Sequence, residues 1–535
     1  MIRFKVNEKE VEVAEGAYLF KALQALGHDI PHLCYYEGLE HYTSCMLCLV
    51  KDARTGTLIP SCSLKVQPGM EIITDDEEVF EARKTGLELL LSDHVGDCEA
   101  PCTKACPAHM DIPRMNRKLQ KGEINEALEI VLKDIALPGV LGRICSAPCE
   151  KICRRKDIDE PVSICLLKRY AGDFGLYEIS PPAHPDPGLQ GKQAAIIGSG
   201  PAGLAAAYHA QLRGIQCTIF DKEAIAGGQL RAIDDAILPN EVLDKEIEFI
   251  KKSGIHFRLG EEINQETFLR LRTDFDAVVI ATGPMEEPLR QWGVETYKQG
   301  IQVNKHTYET NLPGVFAIGS VLKPMKMAVK SLGHGKEASF CVAQYLKGEE
   351  VKGEPGIFNS RFGRILPEEV EEFLKESTDH HRIEPIYGRS KGLKLEEVAE
   401  EAARCLHCDC RKIEACKLRL YADVYRADQK RFGGEARKVV KKVIENGPAL
   451  YEPEKCVKCG ICVRLTARHQ EAYGMTFIGK GFEIEIGIPF NEELRKGFDD
   501  IAEEVIRACP TGALAFRVTD LPDQRPSSSP TKERR

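Results

Sequence analysis

Twenty-one cysteines in 535 residues, most of them in tight groups, constrain this chain more than any other feature. Thiols in a reducing cytosol stay reduced, so grouped cysteines there read as metal ligands rather than disulfides. Iron–sulfur clusters and zinc are the two metal chemistries to weigh. The remaining composition is ordinary for a globular protein, at 43% hydrophobic and 29% charged. A net charge of −9 gives no reason to expect nucleic acid or a membrane surface. No apolar run is long enough to span a bilayer. The opening MIRFKVNEKEVEV alternates like a strand and lacks the apolar block of a signal peptide, so the cytoplasm is the expected location. The length implies about three to five domains.

The first group is Cys34, Cys45, Cys48 and Cys62, spaced C-x10-C-x2-C-x13-C. A hairpin (IRFKVNEKEVEV) and an amphipathic helix (AYLFKALQALG) precede it, which suggests a β-grasp ferredoxin. The plant-type spacing is C-x4-C-x2-C…C. The longer first gap here resembles the [2Fe–2S] domain of the complex I large iron–sulfur subunit and of iron-only hydrogenases. That resemblance implies one [2Fe–2S] cluster on these four thiols, with zinc as the alternative. In the same families a His separated from a Cys by three residues ligates a [4Fe–4S] cluster, and His94-x3-Cys98 matches. His94 is therefore a candidate ligand, a structural histidine being the alternative.

Two further runs, CEAPCTKACPAHMDIP and GRICSAPCEKIC, supply Cys98, Cys102, Cys106, Cys145, Cys149 and Cys153 around a helical stretch. They resemble the N-terminal domain of the glutamate synthase small subunit and of dihydropyrimidine dehydrogenase, which folds two [4Fe–4S] clusters by crossing its cysteine groups. The resemblance assigns Cys98, Cys102 and Cys153, with His94, to one cluster and Cys106, Cys145 and Cys149 to the other. The family's Glu or Gln ligand in the next segment is replaced here by Lys168, a cation that does not ligate iron while charged. Cys165, one helical turn earlier on the same face, is the candidate substitute, a small core residue being the alternative.

EISPPAHPDPGLQG reads as a linker. Strand QAAII then runs into Gly198-x-Gly200-x-x-Gly203, with Pro201 and Ala202 opening a helix and Asp221 ending a second strand. Glycines there permit a tight turn against a pyrophosphate on the helix N-terminus, and the acid is placed for ribose hydroxyls. Asp221-Lys222, GGQLR (Gly228, Gln229, Arg231), Ala281-Thr282-Gly283 and Gly319-Ser320 resemble the flavin domain of the glutamate synthase small subunit and point to FAD. Ser320 departs from the family's usual Asp and offers a weaker hydrogen bond. Only 35 residues separate Gly283 from Gly319, where that family inserts an NADPH-binding domain. One dinucleotide-binding βαβ unit alone needs about 30 residues. The nicotinamide domain is therefore expected to be missing, with no NAD(P) held by this chain.

Toward the C-terminus, Cys405, Cys408, Cys410 and Cys416 form C-x2-C-x-C-x5-C, a metal motif for an iron–sulfur cluster or zinc, with His407 outside the ligand set. Cys456, Cys459, Cys462 and Cys509-Pro510 follow the two-cluster ferredoxin pattern with half of it erased. The positions of the other cluster's ligands hold Thr466, Asp499, Ala502 and Val505. One [4Fe–4S] cluster is expected. Cys217 and Cys341 are read as core residues.

The expected architecture is multidomain α/β. It comprises a [2Fe–2S] β-grasp ferredoxin (1–78), a helical [4Fe–4S] domain (79–178), a Rossmann-like FAD domain (190–355) and a helical segment with the Cys405–Cys416 motif (356–430). A ferredoxin-like [4Fe–4S] domain (440–519) and a disordered tail (520–535) follow. FAD, one [2Fe–2S] and three to four [4Fe–4S] clusters on a chain without an obvious substrate site imply an electron-transfer subunit of a multisubunit oxidoreductase. The resemblance also permits electron bifurcation at FAD. Expected partners are a hydrogenase, a formate or aldehyde oxidoreductase, or an NAD(P)H-oxidising subunit, and ferredoxin. The alternatives are a self-contained NAD(P)H:acceptor oxidoreductase and a redox-sensing or cluster-scaffold protein.

Overall fold

The computed structural model describes residues 1–517 apart from 177–178, 182–184, 285–289, 299, 435–436, 445–446 and 499. The expected disordered tail, the template position Asp499 and part of the linker lie outside the described residues. The chain divides into two compact units. The first comprises Met1–Glu99, Ile357–Lys375 and Cys408 onward; the second comprises Ala100–Gly356 and Glu376–His407. No helix among the described residues is long and apolar enough to cross a membrane.

The first unit begins as a β-grasp. Ile2–Val6 buries Phe4 and Val6 and exposes Arg3 and Lys5, the period of a half-buried strand. Asn7 and Glu8, with φ of 47° and 69°, turn it back into Lys9–Val13. The sheet order is Lys9–Val13, Ile2–Val6, Glu71–Ile73, Leu49–Asp52, Thr57–Pro60, with Glu71–Ile73 parallel to Ile2–Val6. Helix Leu19–Ala25 lays Leu19, Phe20 and Leu23 on Phe4, Val50 and Ile72.

The C-terminal part of this unit has a three-stranded antiparallel sheet (Val443–Ile444, Ala449–Tyr451, Leu514–Phe516), a hairpin (Thr476–Ile478, Glu485–Gly487) and helices Ile461–Arg468 and Ala502–Ala508. It shares one apolar core with the N-terminal cysteine loop. Leu33, Leu47, Leu87 and Leu91 pack with Leu418, Ala422, Tyr425, Leu465 and Val505. Arg83 pins this core: its guanidinium donates to the Leu49 carbonyl at 2.6 Å and to the Tyr425 hydroxyl at 3.1 Å.

The second unit opens with short helices, Pro101–Ala105, Ile112–Gln120, Ile124–Leu132, Pro138–Ile144, Pro148–Lys151 and Ile164–Gly175. Proline begins three of them, where a missing N–H costs nothing. Cys106 and Cys145 are the capping residues that end Pro101–Ala105 and Pro138–Ile144, so the helix ends present thiols. A five-stranded parallel sheet follows, in the order Val315–Ala317, Ala277–Ile280, Gln193–Ile197, Gln216–Asp221, His256–Leu259. Helices Pro201–Leu212 and Ala328–Leu346 pack against each other. Between Ala277–Ile280 and Val315–Ala317 the described residues hold one 3-10 turn and a two-strand hairpin, Thr296–Tyr297 with Gly300–Ile301.

Glu246, buried on helix Asn240–Lys251, joins the helical part to the sheet. Its carboxylate accepts the Gly139 and Val140 N–H groups at 2.5 and 3.0 Å, the first turn of the helix that ends at Cys145. Burial outweighs those two donors and raises its pKa from 4.5 to about 7. A folded-state value above the unfolded one stabilises the fold below pH 4.5, and that stabilisation fades as pH rises through about 7. Glu246→Gln is expected to flatten this slope. At about 1.4 kcal/mol per pK unit the wild type loses about 3 kcal/mol across the window and the variant does not. Thermal melts of the holoprotein from about pH 5 to pH 8 measure it.

Candidate functional site

All four N-terminal cysteines are buried. Cys34 and Cys45 sulfurs lie 3.4 Å apart, and Cys48 hydrogen-bonds Cys62. Thr43 Oγ1 lies 3.4 Å from Cys62 Sγ, and the Leu33 N–H donates to Cys45 Sγ at 3.4 Å. Two thiols per pair suit a two-iron cluster whose irons each take two thiolates. The protons are unequally shared. Hydrogen bonds from Cys45 and Cys62 hold Cys34 far below the usual thiol range, Cys62 lowers Cys48 to about 7, and Cys45 and Cys62 are pushed up in return.

In the second unit, helix Pro101–Ala105 packs on Pro148–Lys151 and brings the two cysteine runs together. Cys145 and Cys149 both hydrogen-bond Cys165, which stands in the first turn of Ile164–Gly175. The Cys165 N–H donates to Glu150 Oε1 at 2.8 Å. Fully buried Lys168 lies within electrostatic range of Cys165, Cys145, Cys149 and Cys106. Burial pulls its pKa down, and the four thiols more than offset that. Sequence reasoning treated Lys168 only as a lost ligand. In the structure it stands as a cation beside a four-cysteine group that includes the proposed substitute.

Cys102 and Cys153 belong to this second unit, whereas His94 and Cys98, grouped with them by resemblance, belong to the first. The Cys405–Cys416 run is likewise divided. Cys405 and buried His407 fall in the second unit, with the His407 ring Nδ1 3.5 Å from Arg117 Nη1. Cys408, Cys410 and Cys416 fall in the first, where the Cys410 N–H donates to the Cys98 carbonyl at 3.0 Å. Cys217 and Cys341 are buried, in strand Gln216–Asp221 and helix Ala328–Leu346.

Cys456, Cys459, Cys462 and Cys509 close round one small cavity walled by Tyr451, Ile461, Ile486 and Leu514. The Lys458 N–H donates to Cys456 Sγ at 3.3 Å. Burial pushes Cys456 up to about 12 as a bare thiol. Thr466, at a position where a two-cluster ferredoxin carries a ligand, is packed instead. Its hydroxyl donates to the Val463 carbonyl at 3.1 Å and accepts the Met475 N–H at 2.9 Å. Among the described residues no three His, Cys, Asp or Glu converge as they would round one metal ion.

The dinucleotide motif lines a cleft of about 1170 Å³ in the second unit. Gly198, Gly200, Pro201, Ala202, Asp221, Lys222, Gly228, Gln229, Arg231, Ala281, Thr282, Gly283 and Ser320 all face it. Gly203 and Gly319 do not line the cleft. A Cβ on Gly203 would sit 1.9 Å from the Gly198 carbonyl oxygen, whereas a Cβ on Gly200 would meet nothing within 4 Å and would project into open space. Such a cradle at a helix N-terminus suits a pyrophosphate. Asp221 Oδ2 accepts the Ser199 N–H and hydroxyl, both at 2.6 Å, and Oδ1 accepts the Glu223 N–H at 2.9 Å. That leaves one Oδ1 lone pair for a ribose hydroxyl. Arg231 is drawn back by Asn240 at 3.0 Å, the Ala226 carbonyl at 2.9 Å and Asp244. Sequence reasoning missed Ile144, Met325 and Lys326, which also line the cleft and carry no motif.

Three family models match separate parts of the chain. They are a 2Fe-2S iron-sulfur cluster binding domain (residues 1–77), dihydropyrimidine dehydrogenase domain II, 4Fe-4S cluster (92–178), and an NAD(P)-binding Rossmann-like domain (196–261). The NADPH-Fe(3+) oxidoreductase subunit beta of Geobacter sulfurreducens is 34% identical over 259 residues, 46% of this chain and 38% of that protein. The NADP(+)-dependent formate dehydrogenase subunit beta of Moorella thermoacetica is 40% identical over 207 residues, 34% of this chain and 29% of that one. The glutamate synthase [NADPH] small chain of Mycobacterium tuberculosis is 34% identical over 190 residues, 35% and 39% respectively. The chain thus spans less than half the length of these relatives. The matches fit the expected fusion of a [2Fe–2S] ferredoxin region with the iron–sulfur and Rossmann regions of a glutamate synthase small chain.

The two glycines give opposed expectations. Gly203→Val is expected to abolish folding of the second unit. Gly200→Val is expected to leave the melting temperature nearly unchanged and to cut dinucleotide retention about tenfold or more, because its side chain fills the phosphate cradle. Cofactor released on denaturation, read by absorbance and fluorescence, measures retention.

Proposed function

We infer that this chain is a flavin and iron–sulfur electron-relay subunit of a multisubunit oxidoreductase. FAD, when bound, exchanges electrons in pairs and iron–sulfur clusters carry them singly. The observation that carries the reading is the adjacency of thiol groups inside the first unit. One Arg464 nitrogen donates to the Cys34 carbonyl at 2.8 Å and to the Cys459 carbonyl at 3.3 Å, joining the first and last groups. Electron tunnelling falls steeply with distance, so neighbouring cluster sites are what a relay requires. The cleft residues would hold FAD, with the pyrophosphate at Gly200 and a ribose at Asp221. The partners, by this reading, are catalytic or NAD(P)H-oxidising subunits and ferredoxin, as the relatives' names as subunits support.

One observation favours a second reading, a self-contained NAD(P)H oxidoreductase: the family model over 196–261 is described as NAD(P)-binding. Against it, the interval between Ala277–Ile280 and Val315–Ala317 offers a hairpin where a second dinucleotide unit would stand among the described residues.

Anaerobic purification and titration separate the two. The relay reading expects flavin and about 14 to 18 iron atoms per chain, one two-iron and three to four four-iron clusters. It also expects no bleaching of the flavin by NADH or NADPH until a partner subunit is added. Rapid bleaching of the isolated chain by either nucleotide overturns it in favour of the second reading. Zinc in place of iron overturns both.

A further inference from the structure

Two cysteines far apart in sequence meet in the first unit. The Cys410 N–H donates to the Cys98 carbonyl, and Cys416 lies within electrostatic range of both Cys98 and Cys410. The segment carrying Cys98 is held there from several sides. The Ser360 N–H donates to Cys98 Sγ at 3.4 Å. Arg419, one helical turn past Cys416, donates to Glu99 Oε1 at 3.0 Å and to the Phe358 carbonyl at 2.8 Å. Cys98 therefore has two thiol neighbours from the Cys405–Cys416 run.

A fourth ligand is at hand. His94 is fully buried, and its ring hydrogen-bonds the backbone of Lys455. Its Nδ1 is buried without a hydrogen-bond partner. An imidazole that donates one ring N–H to a backbone carbonyl and keeps the other nitrogen bare is oriented as metal-ligating histidines are. Lys455 also lies close to Cys98 and Cys410, and so links the histidine to two of the three thiols.

We propose that Cys98, Cys410 and Cys416, with Nδ1 of His94, ligate a single four-iron cluster, so that the Cys405–Cys416 run does not close on itself. The proposal rests on the relay reading above, that the thiol groups hold iron–sulfur clusters. It gives the first unit three cluster sites. Cys416 is in electrostatic range of Cys509, and the Lys412 ammonium, which donates to the Cys509 carbonyl, lies near Cys410 and Cys416. Within the Cys509 group, Cys459 is in range of Cys34. The Cys456–Cys509 site therefore lies within electrostatic range of both the Cys98 site and the Cys34–Cys62 site.

The test counts irons in anaerobically purified full-length holoprotein. Cys98→Ala and Cys410→Ala are each expected to lose about four irons, and the double variant the same four, with the [2Fe–2S] spectrum of the reduced protein intact as a folding control. If the two residues serve different clusters, the double variant loses about eight, which overturns the proposal. A measurement on the wild type needs no variant: ¹⁵N-histidine labelling with pulsed paramagnetic resonance is expected to show one strongly coupled imidazole nitrogen on a reduced four-iron cluster, lost in His94→Cys with the iron count retained. A wild type with no such coupling overturns the histidine assignment. A holoprotein lacking iron altogether would fail the relay reading itself, whereas an iron-replete protein losing eight irons fails only this ligand set.

Discussion

Buried sulfur beside buried cations is the interaction on which the rest of the structure depends. As bare thiols, Cys98, Cys416 and Cys456 are driven by burial to about 11, 12 and 12, and they would stay neutral in a neutral cell. Lys168 is fully buried beside Cys106, Cys145, Cys149 and Cys165, and Lys455 is fully buried near Cys98 and Cys410 with Glu452 as its ion-pair partner. A lone buried ammonium costs several kcal/mol. A thiolate-ligated cluster beside each would offset both costs, because ligation releases the thiol protons and the resulting negative charge faces the lysine. On the cluster assignments proposed above, the two lysines serve as counter-charges, and metal loading is coupled to folding of the loops that carry the thiols.

Much of this was legible in the sequence, and the limits have physical causes. Alternation at Phe4 and Val6 and a tight turn of helix, loop and cysteines mark the β-grasp, because local periodicity is enforced by one buried face. Gly198, Gly200 and Asp221 mark the dinucleotide cleft, because only one local backbone path satisfies a strand, a phosphate cradle and a helix start. Cys165 was reachable from its helical spacing to Lys168, and the structure brings it to Cys145 and Cys149. The positive role of Lys168 was not, since a lysine at a ligand position reads only as a loss until its neighbours are known.

Under the ligand set proposed above, grouping of thiols is where sequence spacing misleads. Cys405, Cys408, Cys410 and Cys416 fall within twelve residues and read as one site, yet Cys410 hydrogen-bonds the backbone of Cys98, more than three hundred residues earlier. Spacing reports which residues one loop can gather. It carries no information about a loop brought in from elsewhere. Ile144, Met325 and Lys326 line the cleft and were hidden for the same reason.

The first unit is stitched from three separate stretches of chain, and Arg83 reaches Tyr425 across it. During synthesis the ribosome therefore delivers the N-terminal ferredoxin strands long before the residues that complete their shared core. The continuous stretch from Ala100 to Gly356 emerges in between and can collapse while the early cysteine loop still waits. The Cys34 loop therefore waits in a half-built setting until the segment from Cys408 onward has emerged, so its closure depends on chain that is made much later.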